Sequence, residues 1–262
     1  SRKTVSSRRA FLKTAAGAAG AWALGGCRSA PRFRKPGEML KLGVIGTGGQ
    51  GHRDWSEMVD CGNVQIVALC DVDASMFDGA REWYAKKALK ADFRTYADYR
   101  KMLERERDLD AVLVATPDHT HAPAAIQAMK RGCHVYVEKP LVRTIWEARY
   151  FEKVAKEYGV ITQMGNHGSA RDGTRRGIEI LRSGLLGKVT EVHVWTNRPE
   201  ISPGNTWGWK QPLKRPEGAD PIPAEMSWDL WLGTSPARPF RKGVYHRIMW
   251  RAFYDFGTGA SG

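Results

Sequence analysis

The stretch "LKLGVIGTGGQG", residues 40–51, decides the fold of this 262-residue chain. Its apolar part predicts a buried strand at 40–46, and the glycines that follow form a G-x-G-x-x-G that opens a helix. Gly46 allows a tight turn, Gly48 lets the backbone approach a pyrophosphate, and Gly51 permits close packing of helix on strand. The predicted phosphate cradle consists of Gly46, Thr47, Gly48, Gly49, Gln50 and Gly51.

An acidic residue completes this pattern. Asp71 stands about twenty residues after Gly51, at the end of a second apolar run, "QIVALCD". From that position its carboxylate would accept hydrogen bonds from both ribose hydroxyls of a dinucleotide. A carboxylate repels a 2′-phosphate, and the following Val72 and Asp73 supply no arginine to receive one, so NAD is predicted in preference to NADP.

The rest of the chain up to about residue 165 alternates short apolar runs with amphipathic stretches. Strands are predicted at 40–46, 65–71, 110–117, 134–140 and 160–165, and helices at about 74–90, 96–106, 121–131 and 144–158. This alternation predicts the α/β class, with a doubly wound parallel Rossmann sheet covered by helices on both faces. The predicted domain spans 39–165.

The pattern changes after Gly165. A helix is predicted at about 171–183, with Gly184 at its C-terminus, and an alternating strand at 187–199. Residues 166–262 are therefore interpreted as the N-terminal, incomplete part of a second domain, an α+β open-sheet domain.

The leading segment, "SSRRAFLKTAAGAAGAWALGGC" at 6–27, resembles an export tag. It matches the twin-arginine pattern S-R-R-x-F-L-K, followed by an uncharged run too short to span a membrane. The phrase before Cys27 resembles a lipobox, which would make Cys27 a lipid anchor; the alternative is ordinary signal-peptidase cleavage. Residues 1–27 are predicted to be the signal peptide and 28–38 a tether, which places the protein in the periplasm or on the outer side of the membrane.

The charge and the cysteines exclude other classes. Nine basic residues and one acidic residue of a chain with net charge +13 lie within the first 38 residues, and no nucleic-acid-binding motif is present, so nucleic acid is not a predicted partner. Apart from Cys27 the chain has Cys61, Cys70 and Cys133, with no C-x-x-C pair. Neither a disulfide framework nor a metal site is predicted.

Polar residues follow the predicted strands at the carboxyl ends, where open parallel sheets bind ligands. The predicted cofactor contacts beyond the glycine loop are Asp71, Thr116, Pro117, His119, His121 and Glu138. Lys139 is the candidate catalytic residue, the alternative being a surface lysine paired with Glu138. The candidates for substrate contact are Asn166, His167, Asn197, Arg198 and His246. For the histidines a structural role is the competing interpretation.

The chain resembles the Gfo/Idh/MocA oxidoreductase family in four features taken together. They are the glycine loop with Asp71, "TPDHTHA", "EKPL" and "GLLGKV". The resemblance runs from about residue 40 to 262. It implies hydride exchange between a sugar or polyol carbon and a nicotinamide, and a homo-oligomer. It also implies that Lys139 hydrogen-bonds the reacting hydroxyl and that Pro140 follows a cis bond that aims this lysine.

The family completes its site with an Asp and a His in a G-x-x-x-D-x-x-x-H-like phrase. This chain has "WRAFYDFGTGASG" and stops before that Asp and His. We therefore expect that the sequence is a fragment cut at both ends, that it binds dinucleotide at best weakly, and that it does not turn over substrate. Three functions are open: an exported oxidoreductase acting on a sugar or cyclic polyol, an NAD-dependent glycoside hydrolase working by transient sugar oxidation, and a noncatalytic sugar-binding protein. Twin-arginine export carries folded proteins, so NAD is expected to be tightly bound.

Overall fold

The computed structural model describes residues 30–195 and 215–258. Its centre is a six-stranded sheet in which every neighbouring pair of strands is parallel. The strands are β1 Leu40–Ile45, β2 Val64–Cys70, β3 Arg94–Tyr96, β4 Ala111–Val114, β5 His134–Glu138 and β6 Thr162–Gly165. Their order, β3-β2-β1-β4-β5-β6, is that of a doubly wound dinucleotide-binding sheet. The chain adds β2 and β3 on one side of β1 and then β4, β5 and β6 on the other side, so the winding reverses between β1 and β4.

Seven α-helices connect or follow these strands within the described ranges. They are α1 Gln50–Asp60, α2 Met76–Lys86, α3 Tyr99–Arg105, α4 His121–Lys130, α5 Ile145–Tyr158, α6 Asp172–Arg182 and α7 Trp228–Leu232. The local sequence explains the clearest boundaries. Thr144 and Glu147 form a capping box at the start of α5, and Gly159, with a φ of 65°, ends it.

The sheet is covered by apolar residues on both faces. One cluster, which includes Trp55 of α1 and Ala80 of α2, packs on Val44, Leu69 and Leu113. On the opposite face, residues of α3, α4 and α5 pack on the other sides of the same strands; this cluster includes Met102, Ala124, Met129, Phe151, Val112, Val114 and Val135. The predicted α/β doubly wound class is confirmed, and only the short strand β3 has no counterpart among the predicted strands.

The second predicted domain has little regular structure in the described residues. Helix α6 forms as predicted, and Gly184 follows it with a φ of 76°. The predicted strand at 187–199 is wrong over 187–195, where the backbone is irregular and the side chains are exposed. A strand needs a partner strand for its backbone hydrogen bonds, and no described residue pairs with this stretch. Residues 196–199 lie outside the described ranges.

Residues 215–258 form a small body with its own aromatic core. Met226, Trp228, Trp231, Leu232, Phe240, Tyr245, Trp250 and Phe256 are all buried in one cluster. The body is joined to the sheet just beyond β2, where the backbone N–H of Ser227 donates to the Val72 carbonyl at 2.8 Å. The open sheet expected after residue 166 stays a prediction, because segment 196–214 is not described.

None of the helices within 30–195 and 215–258 has the length and apolar character needed to cross a lipid bilayer.

Candidate cofactor and substrate site

The glycine loop has the shape that a pyrophosphate cradle requires. It leaves β1 through Gly46, whose φ is 87°, and enters α1 after Gly49, whose φ is 54°. A Cβ on Gly46 would lie 2.6 Å from the Ala115 carbonyl oxygen, and a Cβ on Gly51 would lie 2.0 Å from the Gly46 carbonyl oxygen. The N–H groups of the first turn of a helix have no intrahelical partners, so this turn presents donors to an anion.

Thr47 and Gly48 complete the loop. The Thr47 side chain is fully buried, and its carbonyl accepts a hydrogen bond from the Trp55 indole at 3.2 Å, which fixes the loop on α1. A Cβ on Gly48 would lie 2.4 Å from the Met76 Sδ, so a larger residue at 48 would require the flexible Met76 side chain to move. The residues present therefore fit the phosphates of a dinucleotide.

Asp71 is held in place beside this loop. One carboxylate oxygen accepts from the Thr47 backbone N–H at 2.8 Å, and the other accepts from the Asp73 backbone N–H at 3.0 Å. Burial raises the pKa of Asp71, and the backbone hydrogen bonds oppose that rise. Each oxygen keeps a further acceptor position, so the carboxylate fits the ribose hydroxyls predicted to bind there.

The loop after β4 is tied to the body formed by 215–258. The His119 ring is buried, and its Nε2 donates to the Trp231 carbonyl at 3.0 Å. Its backbone N–H donates to the Phe256 carbonyl at 3.1 Å. Burial lowers the pKa of His119 to about 4, so the ring is neutral at physiological pH. These contacts favour the structural interpretation of His119.

His121 links two loops at the carboxyl edge of the sheet. Its Nδ1 lies 2.7 Å from the Pro140 carbonyl oxygen and its Nε2 lies 2.8 Å from the Thr116 carbonyl oxygen. The ring is 1% exposed, and burial lowers its pKa. Through His121 the loop that contains Thr116 and Pro117 fixes the position of Pro140 directly after Lys139.

Lys139 follows the last residue of β5. Glu138 is 4% exposed, Lys139 is exposed, and the bond between Lys139 and Pro140 is cis, as the family resemblance implies. Strand β5 lies next but one to β1, with β4 between them, so Lys139 shares the carboxyl edge of the sheet with the glycine loop. Ligands of open parallel sheets bind at this edge.

The substrate candidates separate into two groups. Asn166 and His167 are exposed and directly follow β6, whose Gly165 pairs with Glu138, so they lie beside Lys139. His246 lies elsewhere, because its Nε2 is 2.8 Å from Asp73 Oδ2, beyond β2. Three strand spacings, about 14 Å, separate β2 from β5.

Asn197 and Arg198 lie outside the described residues. Sequence reasoning missed Asp54, a buried carboxyl of α1 that lies close to Glu138 and His167. No spacing signal points to it, because the three residues come from separate elements of the fold.

Comparison with known proteins agrees with this architecture. Residues 40–166 match the model of the family described as "Oxidoreductase family, NAD-binding Rossmann fold", Gfo/Idh/MocA. Over 190 residues the chain is 30% identical to a "Glycosyl hydrolase family 109 protein" of Stenotrophomonas maltophilia, an alignment that covers 71% of this chain and 41% of the relative. Over 113 residues it is 36% identical to an "Alpha-N-acetylgalactosaminidase" of Shewanella oneidensis, covering 42% of this chain and 24% of the relative.

Among solved structures the fold is similar to that of myo-inositol 2-dehydrogenase from Lactobacillus plantarum, with a TM-score of 0.51 and 30% identity. That match covers 58% of this chain and 43% of the dehydrogenase. The chain thus spans less than half the length of the relatives it matches. The match over 40–166, the strand order and the glycine loop with Asp71 agree with one another, and the chain belongs to the Gfo/Idh/MocA family of oxidoreductases.

Proposed function

We propose that this protein oxidises a secondary alcohol of a sugar or cyclic polyol, with NAD on the glycine loop and Lys139 at the alcohol oxygen. The position of Lys139 carries this proposal. It is exposed at the carboxyl end of β5, on the same sheet edge as the cradle, and the carbonyl of the next residue, Pro140, is fixed by His121. When bound, NAD supplies the hydride acceptor.

The residues of the chain would supply binding and proton handling. Oxidation of an alcohol removes a hydride from carbon and a proton from oxygen, so a side chain that exchanges protons must contact that oxygen. The exposed position of Lys139 at the carboxyl edge of the sheet supports assigning this contact to it. Asp71 would hold the ribose, and the absence of an arginine at residues 72 and 73 favours NAD over NADP.

A glycosidase reaction is the second candidate, and the similarity to two proteins named as glycosidases favours it. In this reaction the sugar is oxidised, the aglycone leaves by elimination, water adds, and the hydride returns to the sugar. The cofactor ends unchanged. A cofactor that is retained during export would suit such a cycle, because it needs no second substrate for regeneration.

The two candidates differ in their products. The complete gene product, supplied with NAD, is incubated with free sugars and polyols and with an aryl α-N-acetylgalactosaminide. Accumulation of NADH with a free sugar supports the dehydrogenase, and release of the aryl alcohol without net NADH supports the glycosidase. If NAD is bound but neither NADH nor the aryl alcohol forms, both enzyme functions are contradicted. The noncatalytic sugar-binding protein would then be the remaining candidate. Lys139→Ala is the control for each activity.

We also propose that the protein is exported by the twin-arginine machinery, with a lipid on Cys27, and that it forms a homo-oligomer. Residues 1–29 lie outside the described ranges, and the export proposal is supported by the pattern around Arg8 and Arg9. Replacing both arginines with lysine should leave folded protein in the cytosol. Continued export would overturn this proposal, and mass measurement of the exported protein tests for the lipid.

A further inference from the structure

Three side chains that can bind a metal meet at the carboxyl edge of the sheet. Asp54 comes from the second turn of α1, Glu138 ends β5, and His167 follows β6. One oxygen of each carboxylate and one ring nitrogen of the imidazole lie within 4.8 Å of one another. Asp54 is 6% exposed and Glu138 is 4% exposed, whereas His167 is open to solvent.

In each of the two carboxylates, one oxygen accepts a hydrogen bond and the other accepts none. Gln50 Nε2 donates to Asp54 Oδ1 at 2.6 Å, and the Lys139 backbone N–H donates to Glu138 Oε2 at 3.3 Å. Asp54 Oδ2 and Glu138 Oε1 are buried and have no hydrogen-bond partner. Buried polar atoms without a partner are rare because each one costs about 1–3 kcal/mol. Two such oxygens side by side need a positive charge between them, which either a cation or a shared proton can supply.

The backbone leaves room for the Glu138 carboxylate. Gly165 is its partner in the pairing of β5 with β6, and a Cβ on Gly165 would lie 2.1 Å from Glu138 Oε1. The free oxygen of Glu138 therefore occupies space that any other residue at 165 would take. His167 approaches the same atom, with its Nδ1 at 3.8 Å.

We propose that Asp54, Glu138 and His167 bind a divalent transition-metal cation, of the Mn²⁺, Co²⁺ or Zn²⁺ class. Two carboxylates supply the compensating charge, and the imidazole favours these cations over Mg²⁺ and Ca²⁺. Ligand atoms around a cation at about 2.0–2.2 Å lie roughly 3–3.5 Å apart, so a small movement of the exposed His167 side chain closes the set. Gln50 and the Lys139 N–H hold the outer oxygens, as hydrogen-bond donors do around metal ligands.

The competing arrangement is a proton shared by the two carboxyl groups. Two adjacent carboxylates cannot both ionise readily in a buried site, so one of them can remain protonated when no cation is present. The shared proton requires only Asp54 and Glu138, whereas the metal site also requires His167. The role of His167 therefore separates the two arrangements.

Calorimetric titration of the chelator-treated protein with Zn²⁺, in the absence of sugar and dinucleotide, tests the proposal. One saturable site is expected, with Co²⁺ giving visible absorption bands at the same site. His167→Ala and Asp54→Asn should each weaken binding by more than about 10- to 100-fold, the loss that follows removal of only an outer hydrogen-bond partner of a ligand. Glu57→Gln is the matched control, because Glu57 is an exposed carboxylate on the same helix and pairs with Arg53, and its affinity should equal that of the wild type.

Absence of saturable binding, or binding that His167→Ala and Asp54→Asn leave unchanged, would overturn the proposal. His167 is exposed, so its alanine variant tests the site even where the substitution at Asp54 prevents folding. The titration requires no turnover, so its failure is distinct from failure of the proposed enzyme function.

Discussion

Asp118 accepts two hydrogen bonds from Thr258, one from the backbone N–H and one from the hydroxyl, both at 2.9 Å. Asp118 is 4% exposed and lies in the loop after β4, whereas Thr258 lies at the end of the described body 215–258. His119, the next residue, makes the same connection through the carbonyls of Trp231 and Phe256. This loop thus holds the body against the carboxyl edge of the sheet.

Removal of the Asp118 carboxylate should loosen this body without unfolding the sheet. Asp118→Ala leaves two donors of Thr258 without their acceptor, at a cost of about 1–3 kcal/mol. We expect faster amide hydrogen exchange in 215–258 and unchanged protection in β1 and β4, measured by mass spectrometry. Asp108→Ala is the control, because its side chain is 71% exposed. Equal exchange in both variants would show that the Asp118 contact does not hold the body.

The buried His119 ring should make stability depend on pH. Its folded pKa, about 4, lies below the unfolded value of about 6.5, so the unfolded chain binds the proton more tightly. The stabilisation is complete above pH 6.5 and is lost as the pH falls from about 6.5 to 4. The full effect is about 3 kcal/mol.

Urea denaturation at a series of pH values measures this dependence. His119→Gln removes the titrating group but keeps a donor for the Trp231 carbonyl, so the variant should have a flatter profile between pH 6.5 and 4. His193→Gln, at an exposed histidine, should retain the wild-type profile. A wild-type slope in His119→Gln would assign the dependence to other groups.

The glycine cradle allows a matched pair of glycine substitutions. Gly51→Ala places a methyl group 2.0 Å from the Gly46 carbonyl oxygen, so α1 must move away from β1. We expect a loss of about 2–4 kcal/mol in the free energy of unfolding, together with loss of NAD binding. Gly79→Ala in α2 meets nothing closer than 3.9 Å and should stabilise the protein by about 0.5–1 kcal/mol. Chemical denaturation with a dinucleotide titration measures both, and an unaffected Gly51→Ala would refute the close approach.

Asp71 should determine both the affinity for NAD and the preference over NADP. Asp71→Ser removes the carboxylate that would accept from the ribose hydroxyls and repel a 2′-phosphate, so NAD affinity should fall about 10- to 100-fold. Affinity for NADP should fall less or rise. Fluorescence titration with each dinucleotide gives the ratio, and Asp78→Asn, an exposed carboxylate on α2, is the charge-matched control. An unchanged ratio would remove Asp71 from cofactor selection.

The sheet could be predicted from the sequence because its strands and helices are encoded locally. The apolar runs gave β1, β2, β4, β5 and β6 to within a few residues, and the amphipathic spacing of apolar residues gave α5. The glycine loop and Asp71 could be placed for the same reason, since both directly follow apolar runs. Strand β3 has three residues, Arg94–Tyr96, none of them buried, and therefore leaves no apolar pattern.

The parts that escaped prediction depend on contacts between distant residues. His119 and His246 are each held by a residue more than a hundred positions away, and no local pattern reports such a contact. The Asp54 carboxyl meets Glu138 only because α1 and β5 lie close together in the folded sheet. The stretch 187–195 shows the opposite failure, in which a clear alternating pattern forms no strand because the described residues offer it no partner strand.

The most direct test of the central claim is single turnover in the complete gene product loaded with NAD. After mixing with a sugar that the wild type oxidises, the near-ultraviolet absorbance of the reduced nicotinamide reports the hydride transfer. We predict that Lys139→Ala slows this transfer about 10²- to 10⁴-fold while its NAD content stays at the wild-type level. Lys153→Ala, at an exposed lysine of α5, should react at the wild-type rate. Wild-type transfer by Lys139→Ala would contradict the assignment of Lys139 to the reacting oxygen.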